Sequence, residues 1–221
     1  MQRSSLSNCG LVAKVSFVVL GLGTVCTEVA ASLLYHLDET QVREAYFLGS
    51  SHNENAAALL GRYVRNYAQP AKGPWVYKIE LRTPYEEVVR RAWENSANAS
   101  AQRAIEEYHA HGDSLTIRVW VSFAPSHGSV APPISQAGPT SQLGDLTREF
   151  TVRVTQTRLI EPKAVTAIPQ YSKLRAGMGG VEIVLEFNAE QFEPSTTEVK
   201  VMASDERSVI GSASFNLSEL Q

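Results

Sequence analysis

Apolar residues in the first half of the chain recur at the spacing of amphipathic helices. They lie three or four positions apart from Asp38 to Leu48 and again from about Asn53 to Ala68. This spacing predicts two helices, each with one buried face, and glycine or proline follows each of them. The pattern therefore predicts a helical N-terminal segment, residues 32–74, in which Tyr46 to Leu48 dock the first helix onto a sheet.

Two further helices are predicted between residues 84 and 111 by residues that begin and end helices. Thr83 can cap the first of them, and Pro84 suits its first position because proline lacks the N–H group that is unpaired there. Ser100 can cap the second helix, and Gly112 can end it. The two helices form a predicted helical insertion, residues 84–111, in a region that is otherwise strand-like.

Most of residues 75–221 alternates between apolar and polar positions, which is the period of half-buried strands. The predicted strands are Trp75–Arg82, Leu115–Phe123, Arg148–Val154, Val181–Phe187, Thr197–Val201 and Val209–Leu217, with a weaker strand at Ala164–Ile168. Short alternating strands joined by turns favour a mainly β fold with α additions. We predict an antiparallel β-sandwich, immunoglobulin-like in the broad sense, with helices before the first strand and between the first two strands. The alternative is a small α/β unit at residues 38–113 followed by a sandwich.

Three features interrupt the alternation. Residues 124–144 combine prolines, glycines and serines, which predicts a flexible loop that is either disordered or functional. Gly177 to Gly180 are predicted to form a turn, because a phosphate-binding loop would lead into a helix and these residues lead into a strand. Trp120 falls on the face of its strand opposite the core, where it is either covered by helices or available for a ligand.

The first 31 residues follow the order of a secretory signal peptide. The basic residues Arg3 and Lys14 precede an uncharged apolar run, Val15–Val25, and small residues lead to Ala31. The run is shorter than the about 20 residues that span a bilayer. We therefore predict cleavage after Ala31 and an exported protein, periplasmic or secreted. An uncleaved membrane anchor, a lipoprotein signal at Cys26 and a buried strand are the alternatives.

Cleavage would change both the cysteine content and the charge of the chain. Cys9 and Cys26 would be lost, which would leave 190 residues with no disulfide, thiolate nucleophile or cysteine-bound metal. The mature chain would carry 18 basic and 22 acidic side chains, a net charge of −4. Arg90 and Arg91 are adjacent and are interpreted as a solvated helix face. Without a clustered basic face, nucleic acid is not a predicted partner.

One short run resembles a metal motif. His109-Ala110-His111-Gly112-Asp113 is similar to the start of the HxHxDH signature of the metallo-β-lactamase family, which implies zinc held by His109, His111 and Asp113. Ser114 stands where the family has its next histidine, and the run follows a helix whereas the family's motif follows a strand. We therefore interpret the run as a helix C-terminus, where histidines interact favourably with the negative end of the helix dipole. A metal-assisted hydrolase that uses these three residues is kept as the alternative function.

A second resemblance covers the middle of the chain. Arg43 to Ser50 (REAYFLGS) and Lys78 to Val89 (KIELRTPYEEVV) resemble segments of exported bacterial proteins that have no assigned activity. The resemblance implies a bacterial envelope location and transfers no functional residue. No catalytic, cofactor-binding or metal-binding residue is predicted.

The predicted function is an exported, non-catalytic binding or interaction module of the bacterial cell envelope. Its expected partner is another envelope protein or a glycan, contacted through the loop at residues 124–144. Contact with the membrane is expected only through the N-terminal segment, if that segment is uncleaved. A purely structural envelope component is a further possibility.

Overall fold

A computed structural model describes residues 36–71, 73–95, 100–123, 149–171, 178–203 and 208–220. The predicted signal peptide (1–31) and the predicted loop (124–144) lie outside the described residues. The helices are α1 (Glu39–Ser50), α2 (Glu54–Arg62), α3 (Pro84–Glu94) and α4 (Ala101–His111). The strands are β1 (Val64–Asn66), β2 (Trp75–Arg82), β3 (Ser114–Ser122), β4 (Phe150–Thr155), β5 (Leu159–Ile160), β6 (Ala164–Tyr171), β7 (Met178–Asn188), β8 (Thr196–Ala203) and β9 (Val209–Asn216).

These strands form two antiparallel sheets. The five-stranded sheet has the order β1-β2-β3-β7-β6, and the four-stranded sheet has the order β5-β4-β8-β9. The apolar residues of their facing sides share one core, in which Ile117 and Ile183 of the first sheet pack with Val199 and Phe215 of the second. Burying one apolar face of each sheet in this way leaves the opposite faces for polar residues. The predicted mainly β sandwich with added helices is confirmed.

The helices bury a second, smaller core of their own. Val42 of α1, Val89 of α3 and Ile105 of α4 are among its buried residues. Tyr46 and Leu48 pack against this helical core and not against the core of the sandwich, while Phe47 is 62% exposed. The predicted docking of this segment onto a sheet is therefore wrong, because α1 finds its apolar partners on α3 and α4. None of the helices in the described ranges is long and apolar enough to cross a membrane.

The predicted second helix is too long, and a strand was missed. The helix ends at Arg62, and Tyr63 caps it before β1 begins. The backbone carbonyl of Tyr63 accepts from Leu81 N (3.0 Å), and Tyr67 N donates to the carbonyl of Tyr77 (3.0 Å). After Arg62 the chain therefore pairs with the edge of β2 instead of continuing the helix. As a result, the first strand is β1, and the helical insertion lies between the second and third strands.

A β-bulge in β2 changes which residues face the core. The register shifts between Val76 and Lys78, so that Trp75 pairs with Ser122 and Lys78 pairs with Trp120. Trp75 thus falls on the outer face of the sheet with Trp120, whereas an unbroken alternation would place it on the face of Ile79. The position of Trp120 opposite the core is confirmed.

The prediction of a turn at Gly177 to Gly180 was also wrong for the residues that the structure describes. Met178, Gly179 and Gly180 belong to β7 rather than to a turn. A Cβ at Gly180 would lie 2.3 Å from the carbonyl oxygen of Val121, so the close approach of β3 and β7 requires glycine there.

The predicted helix caps are confirmed. Thr83 Oγ1 accepts from Glu86 N (3.2 Å), and Ser100 Oγ accepts from Arg103 N (3.2 Å). Gly112 ends α4 with a φ of 72°, a backbone conformation that favours glycine. These caps fix where α3 and α4 begin over the outer face of the five-stranded sheet.

Candidate functional site

A groove with a cavity volume of about 680 Å³ lies between helices α3 and α4 and the outer face of the five-stranded sheet. Strands β2, β3, β7 and β6 contribute to one side, and the two helices form the other. Ala92 and Ala104 on the helices, with Val184 and Ile168 on the sheet, give the groove an apolar strip. Its volume is within the range typical of small-ligand sites, about 300–1,000 Å³.

Most of the ionic residues in this groove are arginines. The arginines that line it are Arg82, Arg91, Arg103 and Arg118, and the glutamates are Glu87, Glu107 and Glu186. Arg82 and Arg118 also pair with Glu80 and Glu182, which lie outside the lining, so each of the four arginines has a carboxylate partner. The groove therefore holds charged groups of both signs.

A chain of alternating ion pairs begins at the sheet and reaches α3. Arg82 Nε lies 2.7 Å from Glu80 Oε1, and Arg82 Nη1 lies 3.0 Å from Glu87 Oε2. Arg91 Nε then lies 2.7 Å from Glu87 Oε1. Burial by itself would raise the pKa of the Glu87 carboxyl, but Arg82 and Arg91 outweigh it and lower that pKa. Glu87 is therefore held as a carboxylate.

The same chain of ion pairs continues from α3 to α4. Arg91 Nη1 is 3.7 Å from Glu107 Oε2, and Arg103 Nε is 2.8 Å from Glu107 Oε1. On the sheet, Arg118 Nε donates to Glu182 Oε1 (2.6 Å), and the Arg118 guanidinium lies 5.2 Å from the centre of the Trp120 ring. These ion pairs order the side chains that they join.

Two fully buried carboxyl groups extend this network away from the groove. Glu80 on β2 and Glu86 on α3 have no exposed surface, and both lie close to Arg90. Arg90 Nε is 3.1 Å from Glu80 Oε1 and 2.7 Å from Glu86 Oε1. Lys78 Nζ lies 2.6 Å from Glu80 Oε2 and 3.9 Å from the centre of the Trp120 ring.

The surroundings of the two buried carboxyls move their pKa values in opposite directions. Burial raises the pKa of Glu86 to about 8, against the attraction of Arg90 and Arg82. Burial acts on Glu80 as well, but the neighbouring Lys78, Arg82 and Arg90 outweigh it and lower the pKa of that carboxyl. Glu86 Oε2 also has no hydrogen-bond partner among the described residues. Glu80 is therefore held as a carboxylate, whereas burial favours the protonated form of Glu86.

The three residues of the predicted metal motif do not converge. His111 Nδ1 donates to the backbone carbonyl of Glu107 (2.7 Å), while the ring of His109 lies beside that of Tyr108 with centroids 5.8 Å apart. Asp113 accepts from the hydroxyl of Tyr108 and from His36 Nδ1, which is 2.9 Å away. In the part of the chain that the structure describes, no group of three or more His, Cys, Asp or Glu side chains is placed to hold a metal ion.

Asp113 instead helps to hold the start of the described chain against α4. Tyr108 Oη accepts from Leu37 N (2.8 Å) while it donates to Asp113. Burial, reinforced by the hydrogen bond to Asp113, raises the pKa of the Tyr108 hydroxyl, which stays a donor. The arrangement fastens Leu37 to the helical core.

The ion-pair network is the main feature that the sequence prediction missed. Arg90 and Arg91 were interpreted as a solvated helix face, yet their side chains are only 14% and 33% exposed. The available signal was the spacing of Glu86 to Arg90 and of Glu87 to Arg91, each four residues along one helix. That spacing predicts two ion pairs on adjacent faces of α3, although it does not predict that β2 and α4 join them.

The chain matches no protein-family model, and a search against curated proteins gives no match. The function proposed for the groove therefore depends on its own geometry and chemistry.

Proposed function

We propose that the protein is an exported, non-catalytic binding module of the bacterial cell envelope, and that the groove between the helices and the five-stranded sheet holds its ligand. The observation that carries this proposal is a groove of about 680 Å³ in which four arginines meet an apolar strip. A guanidinium keeps its charge at neutral pH and donates several hydrogen bonds in one plane, which suits recognition better than proton transfer.

The rigid walls of the groove support a binding role. Strands β3 and β7 are each paired on both sides, and α3 and α4 pack on the helical core. The Arg82–Glu87 ion pair then joins the strand side to α3, and the Arg91–Glu107 pair joins α3 to α4. A site that is already ordered loses little conformational entropy when a ligand binds, so more of the contact energy is available as affinity.

The groove can be blocked without disturbing its ion pairs. Thr166 on β6 lines the groove, whereas the adjacent Val165 is on the opposite side of the strand and 49% exposed. We expect Thr166→Trp to abolish retention of the protein on isolated bacterial envelope glycan, and Val165→Trp to leave it unchanged. Protein expressed from the full chain is incubated with the washed glycan, sedimented and quantified. Equal retention of both variants would show that the groove is not the site.

The N-terminal pattern supports the exported part of the proposal. A basic start, the apolar run Val15–Val25 and small residues at Ala31 are the signals that the secretion machinery reads. Alkaline phosphatase fused to the full chain becomes active only outside the cytoplasm, and we expect an active fusion. Leu20→Arg, which puts a charge into the apolar run, is expected to abolish that activity, while Gln2→Arg is expected to retain it. An inactive wild-type fusion would contradict export.

A further inference from the structure

We propose that the ligand of the groove is a sugar acid, that is, a hydroxylated ring that carries one carboxylate, such as a uronic-acid unit of an envelope glycan. This inference rests on the proposed function and names the chemical class of its ligand. Charge, hydrogen-bond donors and the backbone pairing of the sheet each restrict what the groove can accept.

The arginines of the groove can bind an anionic group through donors that their ion pairs leave free. Each of the four has a carboxylate partner, and that of Arg118 is Glu182, outside the lining. Arg91 makes one hydrogen bond, through Nε to Glu87, and its Nη1 is 3.7 Å from Glu107. Arg118 makes its contacts to Glu182 through Nε and Nη2. Since a guanidinium has five N–H donors, both arginines keep donors for a carboxylate among the described residues.

The acidic residues of the groove select for hydroxyl groups. Glu87, Glu107 and Glu186 are acceptors, and a sugar hydroxyl can donate to them. The same three carboxylates repel a ligand that carries several negative charges, such as a polyphosphate. Thr116 and Thr166 add hydroxyl groups on the sheet side, which can either donate or accept. A ring with one carboxylate and several hydroxyls can contact both kinds of ionic residue, because its carboxylate accepts from the arginines and its hydroxyls donate to the glutamates.

The sheet side of the groove disfavours a peptide ligand. Peptides commonly bind sheets by pairing their main chain with a free strand edge. Here β3 lies between β2 and β7, and β7 lies between β3 and β6, so their backbone groups already have partners. Recognition over β3 and β7 must therefore use side chains, whereas β6 lies at the edge of the sheet. The apolar strip at Ala92, Ala104 and Val184 can contact the C–H face of a sugar ring.

Four small probes separate the elements of this inference. Methyl glucuronide carries the ring, hydroxyls and carboxylate; methyl glucoside lacks the charge; inorganic phosphate lacks the ring; and an acetylated, amidated Gly-Glu-Gly tripeptide carries a carboxylate on a peptide. Calorimetric titration of the protein is expected to show that the glucuronide binds at least about tenfold more tightly than each of the others. Equal or tighter binding of phosphate, tripeptide or glucoside would overturn the inference, as would no binding of the glucuronide.

Variants of the groove test the assigned contacts. We expect Arg91→Gln and Arg118→Gln each to weaken glucuronide binding by about tenfold or more, since each removes a charge-assisted contact. The matched control is Arg158→Gln, because Arg158 is exposed in the turn between β4 and β5 and away from the groove. Thr116→Val removes one hydroxyl while it keeps all the ion pairs, and it is expected to weaken binding severalfold.

Thermal unfolding of each variant distinguishes a variant that fails to fold from one that folds but does not bind. Unchanged affinity in the folded arginine variants would contradict the assigned contacts. The Thr166→Trp experiment on whole glycan does not depend on these probes. If that variant loses retention while the glucuronide does not bind, the proposed function stands and the sugar-acid inference fails.

Discussion

Arg82 and Glu87 form an ion pair, with Arg82 Nη1 3.0 Å from Glu87 Oε2, across the junction where β2 ends and α3 begins. Between them lie Thr83, which caps the helix, and Pro84, its first residue. The pair therefore links the end of β2 to the first turn of α3, and both residues line the groove.

Loss of Arg82 is expected to destabilise the fold strongly. Arg82→Ala removes one partner from Glu80 and one from Glu87, which keep Arg90 and Arg91, and breaking a buried ion pair costs roughly 3 kcal/mol. Arg103→Ala is the control, because the Arg103 side chain is 62% exposed and such ion pairs contribute less than about 1 kcal/mol. Urea unfolding measures the loss in free energy of unfolding for both variants. Similar losses in the two variants would show that the network does not join sheet and helix.

The stability of the protein is expected to fall as pH rises from about 5 to about 8. Burial raises the pKa of Glu86 to about 8 from its ordinary value of 4.5. Between those values the unfolded chain releases a proton that the folded chain keeps, so the free energy of unfolding decreases with pH. In Glu86→Gln this decrease is expected to be smaller by at least about 1.4 kcal/mol, the value of one pKa unit. Urea unfolding at pH 5.5 and 8.5 gives the change in the free energy of unfolding for the wild type and for Glu86→Gln. Equal changes in the two proteins would contradict the prediction.

Glu80 is expected to behave in the opposite way, which provides an internal comparison. Its pKa is lowered, since three cations outweigh its burial. The stability that Glu80 contributes is present above its ordinary pKa and is lost as pH falls through its folded pKa. Glu80→Gln is therefore expected to reduce stability at pH 7 and to weaken the loss of stability in acid. The same unfolding series, extended to pH 3.5, measures both effects.

Gly49 is expected to tolerate no side chain. A Cβ at this position would lie 2.1 Å from the carbonyl oxygen of Val89 and 2.8 Å from Ala92 Cβ, where α1 packs on α3. Gly49→Ala is expected to destabilise the protein by roughly 2–3 kcal/mol. Gly61→Ala, on α2 with no atom within 4 Å of the added methyl group, is expected to stabilise it by about 0.5–1 kcal/mol. Thermal unfolding gives the sign of each change, and the same sign in both would refute the close approach.

Tyr63 is expected to anchor the C-terminal end of the described chain. Its hydroxyl donates to the backbone carbonyl of Leu220 (2.9 Å) and is fully buried. Tyr63→Phe leaves that carbonyl without this donor and is expected to cost about 1–2 kcal/mol and to speed amide exchange near residue 220. Tyr171→Phe, at a side chain that is 73% exposed, is the control. Unchanged exchange near Leu220 in Tyr63→Phe would argue against the anchor.

Local signals in the sequence predicted the elements that depend on local interactions. Thr83, Ser100 and Gly112 mark helix ends through contacts within a few residues, and the structure places them as predicted. Alternation predicted β3 well because both of its neighbours are strands and one of its faces is buried. The short β1 was missed because Tyr63 and Tyr67 also fit a helical spacing, and only the edge of β2 decides between the two.

The candidate site could be predicted only in part, because its contacts join separate elements. The sequence shows that Glu86 and Glu87 must point in different directions on a helix, and they do, one into the buried pair with Glu80 and the other into the groove. It does not show that β2 places Glu80 and Arg82 beneath that helix. Nor does periodicity reveal the bulge that puts Trp75 on the outer face, since a bulge inserts one residue into an otherwise regular alternation.

The two hydrophobic cores differ in how far along the chain their members are separated. The buried residues of the helical core all lie between Leu37 and Tyr108, whereas the core of the sandwich extends from Tyr63 to Leu220. Contacts between residues close in sequence form sooner than contacts that must close a long loop. During synthesis the helices can therefore assemble while the last strands are still being made. Until those strands arrive, β2 and β3 expose an uncovered apolar face, and such faces favour aggregation.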